Sequence, residues 1–280
     1  MKLRIFLWAV LAVLGLVAVY PVCFLFVGSL MGNDELLANL GPVLSGREGY
    51  VVFAPLPKFP TFRHYVELLL DSPEYFVMFW NSMKITFGTL IGQLLFATPA
   101  AFGFAQYEFR FKKALFLLYE ILMLLPFQVL MLSDYLVLDS LKLLDNLWGI
   151  ILPGAFSTFP VFIMYRFFKG IPVSLLESAR LDGAGEFQIF VRIGLPLGSS
   201  GIISAMVLGF LESFSLIEQP LTFLKDRSLW PLSIFLPEIT QQQAGMAFAA
   251  SVLTFLPALL VFLGGQDYLE QGIISSAVKE

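Results

Sequence analysis

The feature that most constrains this chain is a long stretch without charge near its start. No residue between Arg4 and Asp34 carries a charge. An α-helix needs about 20 apolar residues to cross the hydrocarbon core of a bilayer. The stretch exceeds the apolar region of a signal peptide, about 7–15 residues, and no small-residue cleavage site ends it cleanly. We therefore expect an uncleaved membrane-spanning helix rather than a signal peptide.

Five further apolar segments follow, and charged residues make up only 14% of the chain. Soluble domains average about 25% charged residues. Backbone groups in lipid must be paired within the protein, and these segments are long enough for helices to do so. The sequence predicts an all-α integral membrane protein, a single domain over residues 1–280, with six transmembrane spans at 5–30, 76–104, 114–137, 147–168, 199–223 and 244–265.

Composition also limits the function. The chain has one histidine, His64, and one cysteine, Cys23, and it lacks the Gly-Lys dipeptide of a P-loop. These counts argue against histidine or thiolate metal clusters and against nucleotide hydrolysis by a P-loop. An intramembrane protease would need a base near a nucleophile, or a second aspartate for Asp134, and neither is apparent. We expect no catalytic residue, no metal, no cofactor bound by this chain and, at a net charge of −4, no nucleic acid.

Lysine and arginine are distributed unequally between the two sides of the predicted spans. Six spans place both termini on one side. Ten basic residues lie on that side and six on the other, and three of those six fall in the long segment 31–75. Since basic residues in short loops favour the cytoplasm, we expect both termini and the loop between the fourth and fifth spans to be cytoplasmic.

That loop contains a charged island, "SLLESARLDGAGEFQIFVRIGLP", at residues 174–196. Ser174 and Glu177 have the spacing of a capping box, which predicts the start of a helix. Gly183, after Asp182, predicts its end in a left-handed conformation. Leu176, Ala179 and Gly183 would form a small apolar face. A second short helix would follow, with a stripe of Phe187, Phe190 and Val191 and an end at Pro196.

Two interpretations of the island are open. It could be an interfacial helix that rests on lipid, or a helix that enters a groove of a cytoplasmic protein. Helices that bind anionic lipid favour basic residues on their polar face, whereas this one sets Glu177 and Asp182 against Arg180. The charge pattern favours the protein groove.

The island also resembles a known motif. Permease subunits of ABC importers carry Glu-Ala-Ala, three residues, Gly, nine residues and then Ile-x-Leu-Pro. The chain has this spacing throughout, with Ser178 in place of the first Ala, in Glu177, Ser178, Ala179, Gly183, Ile193, Leu195 and Pro196. "FWNSMKIT" (79–86) and "QGIISSAVKE" (271–280) resemble the same family of binding-protein-dependent inner-membrane components. The wider island is most similar to the second permease of the maltose-type, carbohydrate-uptake branch.

The resemblance implies a non-catalytic permease that moves a sugar or oligosaccharide across a bacterial or archaeal cytoplasmic membrane by alternating access. A separate ATPase dimer would use ATP and Mg²⁺. The segment 172–196 would be the coupling region that docks on this ATPase. A second permease subunit in a heterodimer, an extracytoplasmic solute-binding protein and membrane lipid would be the other partners. A permease for a non-sugar solute, such as a polyamine, a phosphate ester or a peptide, is the alternative.

The resemblance also implies roles for single residues. Glu177 would make polar contacts to the ATPase, and Ala179 and Gly183 would permit its close approach. The expected coupling residues are Glu177, Ser178, Ala179, Asp182, Gly183, Ala184, Ile193, Leu195 and Pro196. In the tail, Ala277 and Val278 would contact the ATPase, unless the tail is simply a solvated end.

The fifth span departs from the family pattern. The family commonly has a Trp-Asn pair before Pro-Leu, where this chain reads "FLESFSLIEQPLTFL". An ionisable residue within a span is by default a candidate functional residue. We expect the transport pathway to be lined by Asn81, Glu212, Ser215 and Glu218. The alternative is that both glutamates reach the membrane surface or pair with Lys225. The roles of Lys84 and Glu120 stay open.

Overall fold

The computed structural model describes residues 2–44, 48, 50–52, 54–235 and 243–277, and all regular elements within these residues are helical. The α-helices are α1 (Lys2–Ser29), α2 (Asn33–Leu44), α3 (Arg63–Leu70), α4 (Pro73–Gln106), α5 (Lys112–Leu124), α6 (Phe127–Ser140), α7 (Trp148–Ala155), α8 (Thr158–Lys169), α9 (Val173–Leu181), α10 (Glu186–Ile189), α11 (Leu195–Leu197), α12 (Ser199–Phe214), α13 (Glu218–Phe223) and α14 (Ala244–Ala277). A π-helical turn, Phe190–Gly194, joins α10 to α11.

Four helical segments are long and apolar enough to cross a membrane. They are Phe6–Ser29, Pro73–Gln106, Trp148–Lys169 and Ala244–Glu270. Two bent helix pairs have the composition of a span only when each pair is taken together. The described chain therefore has four to six candidate spans, and the four segments above coincide with the predicted first, second, fourth and sixth spans.

The third predicted span, 114–137, is not one continuous helix. It is divided into α5 and α6, whose axes differ by 105°. Leu125 adopts an extended conformation between them, and Pro126 follows it. Because proline lacks an N–H and disfavours helical geometry in the preceding residue, the helix ends there. The pair can still be one broken span, so the predicted bounds 114–137 stay a prediction.

The fifth predicted span, 199–223, is also interrupted. Helix α12 ends at Phe214, and the next helix, α13, begins at Glu218. The hydroxyl of Ser215 donates to the carbonyls of Leu211 (2.6 Å) and Glu212 (3.3 Å), which competes with continuation of the helix. Pro220 has no N–H to continue the ladder. On the other side, α12 and the segment Glu186–Leu197 meet at an angle of 72°.

The chain divides into two compact units that are interleaved in sequence, 1–76 with 235–257 and 77–234 with 258–280. In the first unit, Met31, Leu36 and Ala244 form a buried cluster. His64 is buried there, and its Nε2 lies 3.1 Å from the carbonyl oxygen of Met31. His64 thus has a structural hydrogen bond. The prediction of a single domain over 1–280 stays a prediction.

In the second unit, glycines allow helices to pack closely. A Cβ added at Gly92 would lie 2.3 Å from Cβ of Ala155, so α4 and α7 are in direct contact. A Cβ at Gly201 would lie 2.5 Å from the ring of Phe167, which brings α12 against α8. Gly92 in α4 and Gly201 in α12 therefore serve helix packing within this chain.

Candidate coupling site

The coupling region, residues 172–196, begins with helix α9, which starts two residues earlier than the capping box predicts. Pro172 occupies the N-cap position, in an extended conformation, and no side chain caps the helix. Ser174 therefore lies within the first turn, where its carbonyl accepts a hydrogen bond from the hydroxyl of Ser178 (2.9 Å). The predicted Ser174–Glu177 box is wrong, because the N-cap position is Pro172 and Ser174 already lies inside the helix.

The turn after α9 follows the prediction. Gly183 has a φ of +85°, the left-handed conformation that glycine adopts without strain. Its N–H donates to the carbonyl of Arg180, and the N–H of Ala184 donates to the carbonyl of Ala179, both at 3.0 Å. These bonds pair the last carbonyls of the helix. Asp182 precedes the glycine at the C-cap.

The second half of the coupling region is helical beyond the predicted end. Helix α10, the π-helical turn and α11 follow one another without a break, and Pro196 lies inside α11. The chain bends at Gly198 instead, where an added Cβ would lie 2.2 Å from the ring of Phe168. Close packing on this ring requires glycine and places the bend two residues after the proline.

One face of the coupling region packs into the protein. Leu176 and Ile189 are each 1% exposed and join a core cluster with Phe102 and Phe168. Half-buried Ala179 packs against the same cluster. The predicted apolar face therefore serves the internal core at Leu176 and Ala179, whereas Gly183 is exposed and a Cβ there would meet nothing within 4 Å.

The opposite face is exposed and mixes acidic with apolar side chains. Leu181 is 89% exposed and Phe187 is 77% exposed. Glu177, Ser178 and Asp182 are exposed beside them in sequence, and Glu177 has no hydrogen-bond or ion-pair partner within the described part of the chain. Of the remaining predicted residues, Pro196 is exposed, and the half-buried ones are Ala184, Ile193 and Leu195.

A polar cluster holds the two short helices together. Nε of Arg180 lies 2.7 Å from one carboxylate oxygen of Glu186, and Nη2 lies 3.2 Å from the other. The hydroxyl of Tyr107 donates to the same carboxylate at 2.5 Å. Arg180, and then Tyr107, lower the pKa of Glu186 below its usual range. Sequence reasoning missed this cluster, because nothing in the local pattern links Tyr107 to the coupling region.

The predicted pathway residues do not share one environment. Asn81 is 3% exposed, and its Nδ2 donates to the carbonyls of Ser228 (2.7 Å) and Trp230 (3.2 Å). Glu212 and Ser215 are exposed at the end of α12. Asn81 thus fixes a neighbouring loop, and lining of the pathway stays a prediction.

Glu218 is also exposed, at the start of α13. Gln128 donates to both of its carboxylate oxygens, at 2.6 and 2.7 Å. In the described part of the chain, its partner is therefore Gln128 rather than Lys225. Lys84 is exposed and Glu120 is half-buried.

The remaining predictions concern the tail and metal binding. Ala277 is the last residue of α14, and Val278 lies outside the described residues. Among residues that the structure describes, no group of three or more His, Cys, Asp or Glu side chains could hold a metal ion.

Several apolar helices and an exposed segment between them define a multi-pass membrane protein with a candidate docking surface. Residues 84–275 match the family described as binding-protein-dependent transport system inner membrane component. The chain belongs to this family. It is therefore a permease subunit of an ABC importer, a transport subunit and not an enzyme.

Similar proteins include named transport permeases. The chain is 32% identical to the arabinooligosaccharides transport system permease protein AraQ of Bacillus subtilis (strain 168), covering 99% of this chain and 96% of that protein. It is 25% identical to the galactooligosaccharides transport system permease protein GanQ of the same organism, over 98% and 95% of the two chains. It is 27% identical to the sn-glycerol-3-phosphate transport system permease protein UgpE of Yersinia pestis bv. Antiqua (strain Antiqua), over 74% and 75%.

A solved structure shares the fold. A chain in the crystal structure of a bacterial ABC transporter involved in the import of the acidic polysaccharide alginate superposes with a TM-score of 0.80. The two chains are 21% identical, and the match covers 95% of this chain and 96% of that one. At this identity, the likeness concerns the fold alone.

Proposed function

We propose that the coupling region docks on a cytoplasmic ATPase and passes its ATP-driven movement to the membrane helices. The observation that carries this proposal is the exposed face around Leu181 and Phe187, beside the unpaired carboxylate of Glu177. Large exposed apolar side chains with a polar rim are typical of protein-binding surfaces. The inward face of the same segment packs on the core cluster that includes residues of α4 and α8. A force that the ATPase applies to the outer face would therefore reach these membrane helices.

The docking residues divide into two groups by exposure. Glu177, Ser178, Asp182, Gly183 and Pro196 are exposed, and these would touch the ATPase. The half-buried positions would hold the docking surface in place: Ala179, Ala184, Ile193 and Leu195. ATP and Mg²⁺ would bind to the ATPase, and this chain would bind no cofactor. The tail, with Ala277 and Val278, is a second candidate contact to the ATPase.

In the proposed arrangement, α5 with α6 forms the third span and α12 with α13 forms the fifth, which gives six. Both termini and the coupling region would then face the cytoplasm, as the basic residues of the short loops suggest. A second permease subunit would complete the translocation pathway as a heterodimer. Segment 31–75, on the outer side, would face the extracytoplasmic solute-binding protein.

The proposed substrate is a neutral oligosaccharide. The support comes from AraQ and GanQ, whose names specify arabino- and galactooligosaccharides and which match nearly the whole chain. The exposed carboxylates of Glu212 and Glu218 would accept hydrogen bonds from sugar hydroxyls and would repel an anionic solute. A phosphate ester is the second candidate, because UgpE is named for glycerol-3-phosphate.

The docking proposal is tested by co-purification. The chain is co-expressed with the ATPase and the second permease, extracted in detergent and purified on a tag on this chain. Glu177→Lys and Leu181→Asp replace exposed side chains that the fold does not need. We expect each to reduce ATPase recovery by about tenfold while the second permease stays bound, the factor that corresponds to roughly 1.4 kcal/mol of binding energy.

The control for this experiment is Glu108→Lys, a charge reversal on an exposed residue outside the coupling region. It should leave ATPase recovery unchanged. Undiminished recovery with both docking variants would overturn the proposal.

The substrate proposal is tested on the solute-binding protein of the same system. Arabinotriose, galactotriose and sn-glycerol-3-phosphate are compared for the increase that each causes in its melting temperature, since a ligand stabilises the state to which it binds. A shift with either trisaccharide and none with the phosphate ester is expected. The reverse pattern would replace the sugar by the second candidate.

A further inference from the structure

The turn between α9 and α10 contains two glycines without side-chain packing. Gly183 and Gly185 are both exposed, and a Cβ at either position would meet nothing within 4 Å. Glycine samples more backbone conformations than any other residue, so such a turn resists bending poorly. The backbone of this turn alone would transmit a force from α9 to α10 poorly, so side-chain contacts that bridge the turn matter.

One cluster does bridge the turn. Arg180 lies on α9, before the turn, and Glu186 opens α10, after it. Their ion pair joins Nε to Oε1 at 2.7 Å and Nη2 to Oε2 at 3.2 Å. A bidentate, charge-assisted pair fixes direction as well as distance. The two short helices are thereby held together across the two glycines.

The third member connects this pair to the membrane bundle. The hydroxyl of Tyr107 donates to Oε2 of Glu186 at 2.5 Å, and the Arg180 guanidinium lies 6.0 Å from the centre of the Tyr107 ring. Tyr107 comes directly after α4, the second candidate span. Its ring also meets the buried ring of Phe102 edge-on, with centroids 5.9 Å apart.

The end of α4 is itself hydrogen-bonded to the end of α8, which belongs to the candidate span Trp148–Lys169. Nε2 of Gln106 donates to the carbonyl of Phe168 and, at 3.4 Å, to that of Ile171. Phe102 packs edge-on against Phe168 with a centroid distance of 5.4 Å. A displacement of Tyr107 would therefore move α4 and α8 together, because these two helices are joined by hydrogen bonds and ring contacts.

We infer that Tyr107, Arg180 and Glu186 form a brace that makes the coupling region rigid and transmits its movement directly to α4. The inference rests on the proposed docking of the coupling region, and it adds a second route beside the continuous path through α11 into α12. All three are positioning residues, which act by holding α9 and α10 in place relative to α4.

The brace is expected to matter for transmission and hardly for folding. Arg180 and Glu186 are partly exposed, with relative side-chain accessibilities of 35% and 54%. Ion pairs with such exposure contribute little to stability. The buried contacts of Leu176 and Ile189 remain when the brace is removed, so variants should assemble normally.

Hydrogen exchange on the assembled complex of this chain, the second permease and the ATPase tests the brace. Exchange of residues 101–107 and 182–185 is compared without nucleotide and with the magnesium complex of a non-hydrolysable ATP analogue. The variants are Tyr107→Phe, Arg180→Gln and the exchanged pair Arg180→Glu with Glu186→Arg. The control is Glu108→Gln, which breaks the neighbouring ion pair between Glu108 and Lys112 (2.8 Å).

In the wild type, nucleotide should change the exchange rate of residues 101–107. Tyr107→Phe and Arg180→Gln should reduce this response by about fivefold or more, the lower end of typical coupling factors. They should also accelerate exchange in the turn 182–185, with ATPase recovery unchanged. The exchanged pair should restore part of the response, and Glu108→Gln should behave as wild type.

A full nucleotide response in Tyr107→Phe and Arg180→Gln would overturn the brace, as would a wild type without any response. Glu177→Lys and Leu181→Asp are run in parallel to separate the two proposals. Normal ATPase recovery with both Glu177→Lys and Leu181→Asp contradicts the docking proposal, whereas loss of recovery with Tyr107→Phe contradicts only the transmission role of the brace.

Discussion

At the scale of single residues, the coupling region is defined by the contrast between its two faces. Leu176, at 1% exposed, and Leu181, at 89%, lie on the same short helix. Burial of a leucine side chain contributes about 1.5–3 kcal/mol. The inner face can therefore hold the segment on the protein, while the outer leucine is left for a partner. Gly183 ends the helix with a backbone conformation that few other residues adopt.

Gly183→Ala tests this residue. A Cβ would meet no neighbour, but the left-handed φ would cost roughly 1–2 kcal/mol. We expect the N–H of residue 184, which is bonded to the carbonyl of Ala179, to exchange about tenfold faster in the variant. Gly185→Ala is the matched control, because its φ of −74° suits alanine. Equal exchange rates in the two variants would contradict the strain argument.

At the scale of elements, polar side chains in α4 fix a loop that follows α13. Asn81 donates to two carbonyls of this loop, and the hydroxyl of Ser82 accepts from the N–H of Leu232 at 2.8 Å. Both side chains are buried. Removing a buried donor leaves its acceptors unpaired, at a cost of about 1–3 kcal/mol.

Asn81→Leu should therefore loosen the loop at residues 226–232. We expect faster hydrogen exchange or proteolysis there, with ATPase recovery unchanged. Lys84→Gln, on an exposed residue one turn further along α4, is the control and should leave the loop protected. An undisturbed loop in Asn81→Leu, together with altered substrate specificity of uptake, would instead favour the pathway role predicted for this residue.

Comparison of the predicted and observed helices shows which features of the fold the sequence predicts. The lengths of the apolar segments predicted the four candidate spans, because the thickness of the bilayer sets the length that a spanning helix needs. They placed no break within the fifth span, although Ser215, Glu218 and Pro220 interrupt the apolar composition after Phe214. The conformational freedom of glycine correctly predicted the left-handed turn at Gly183. The predicted N-cap at Ser174 was wrong, because the N-cap is Pro172. The brace depends on a contact between Tyr107 and Glu186 that is distant in sequence, so local patterns carry no signal for it.

At the scale of the whole molecule, the account requires one orientation in the membrane. The basic residues of the short loops favour cytoplasmic termini and a cytoplasmic coupling region. The same orientation places segment 31–75 outside. Docking on a cytoplasmic ATPase is possible only if this topology holds.

Cysteine labelling tests the topology. Cys23 is first replaced by serine, and single cysteines are then introduced at exposed positions by Lys58→Cys and Lys113→Cys. A membrane-impermeant maleimide applied to intact cells, or to spheroplasts where an outer membrane is present, should label position 58 only. Position 113 should require opened membranes. The opposite pattern would place the coupling region outside and contradict the proposed function.

The most direct test of the central claim is photo-crosslinking from the exposed face of the coupling region. p-Benzoylphenylalanine replaces Leu181 or Phe187 in the chain co-expressed with its ATPase and second permease, and Lys58 serves as the control position. We expect an ATPase adduct from both positions in the coupling region and none from position 58. Adducts with lipid alone from Leu181 and Phe187 would show that this surface rests on the membrane and would contradict the docking role.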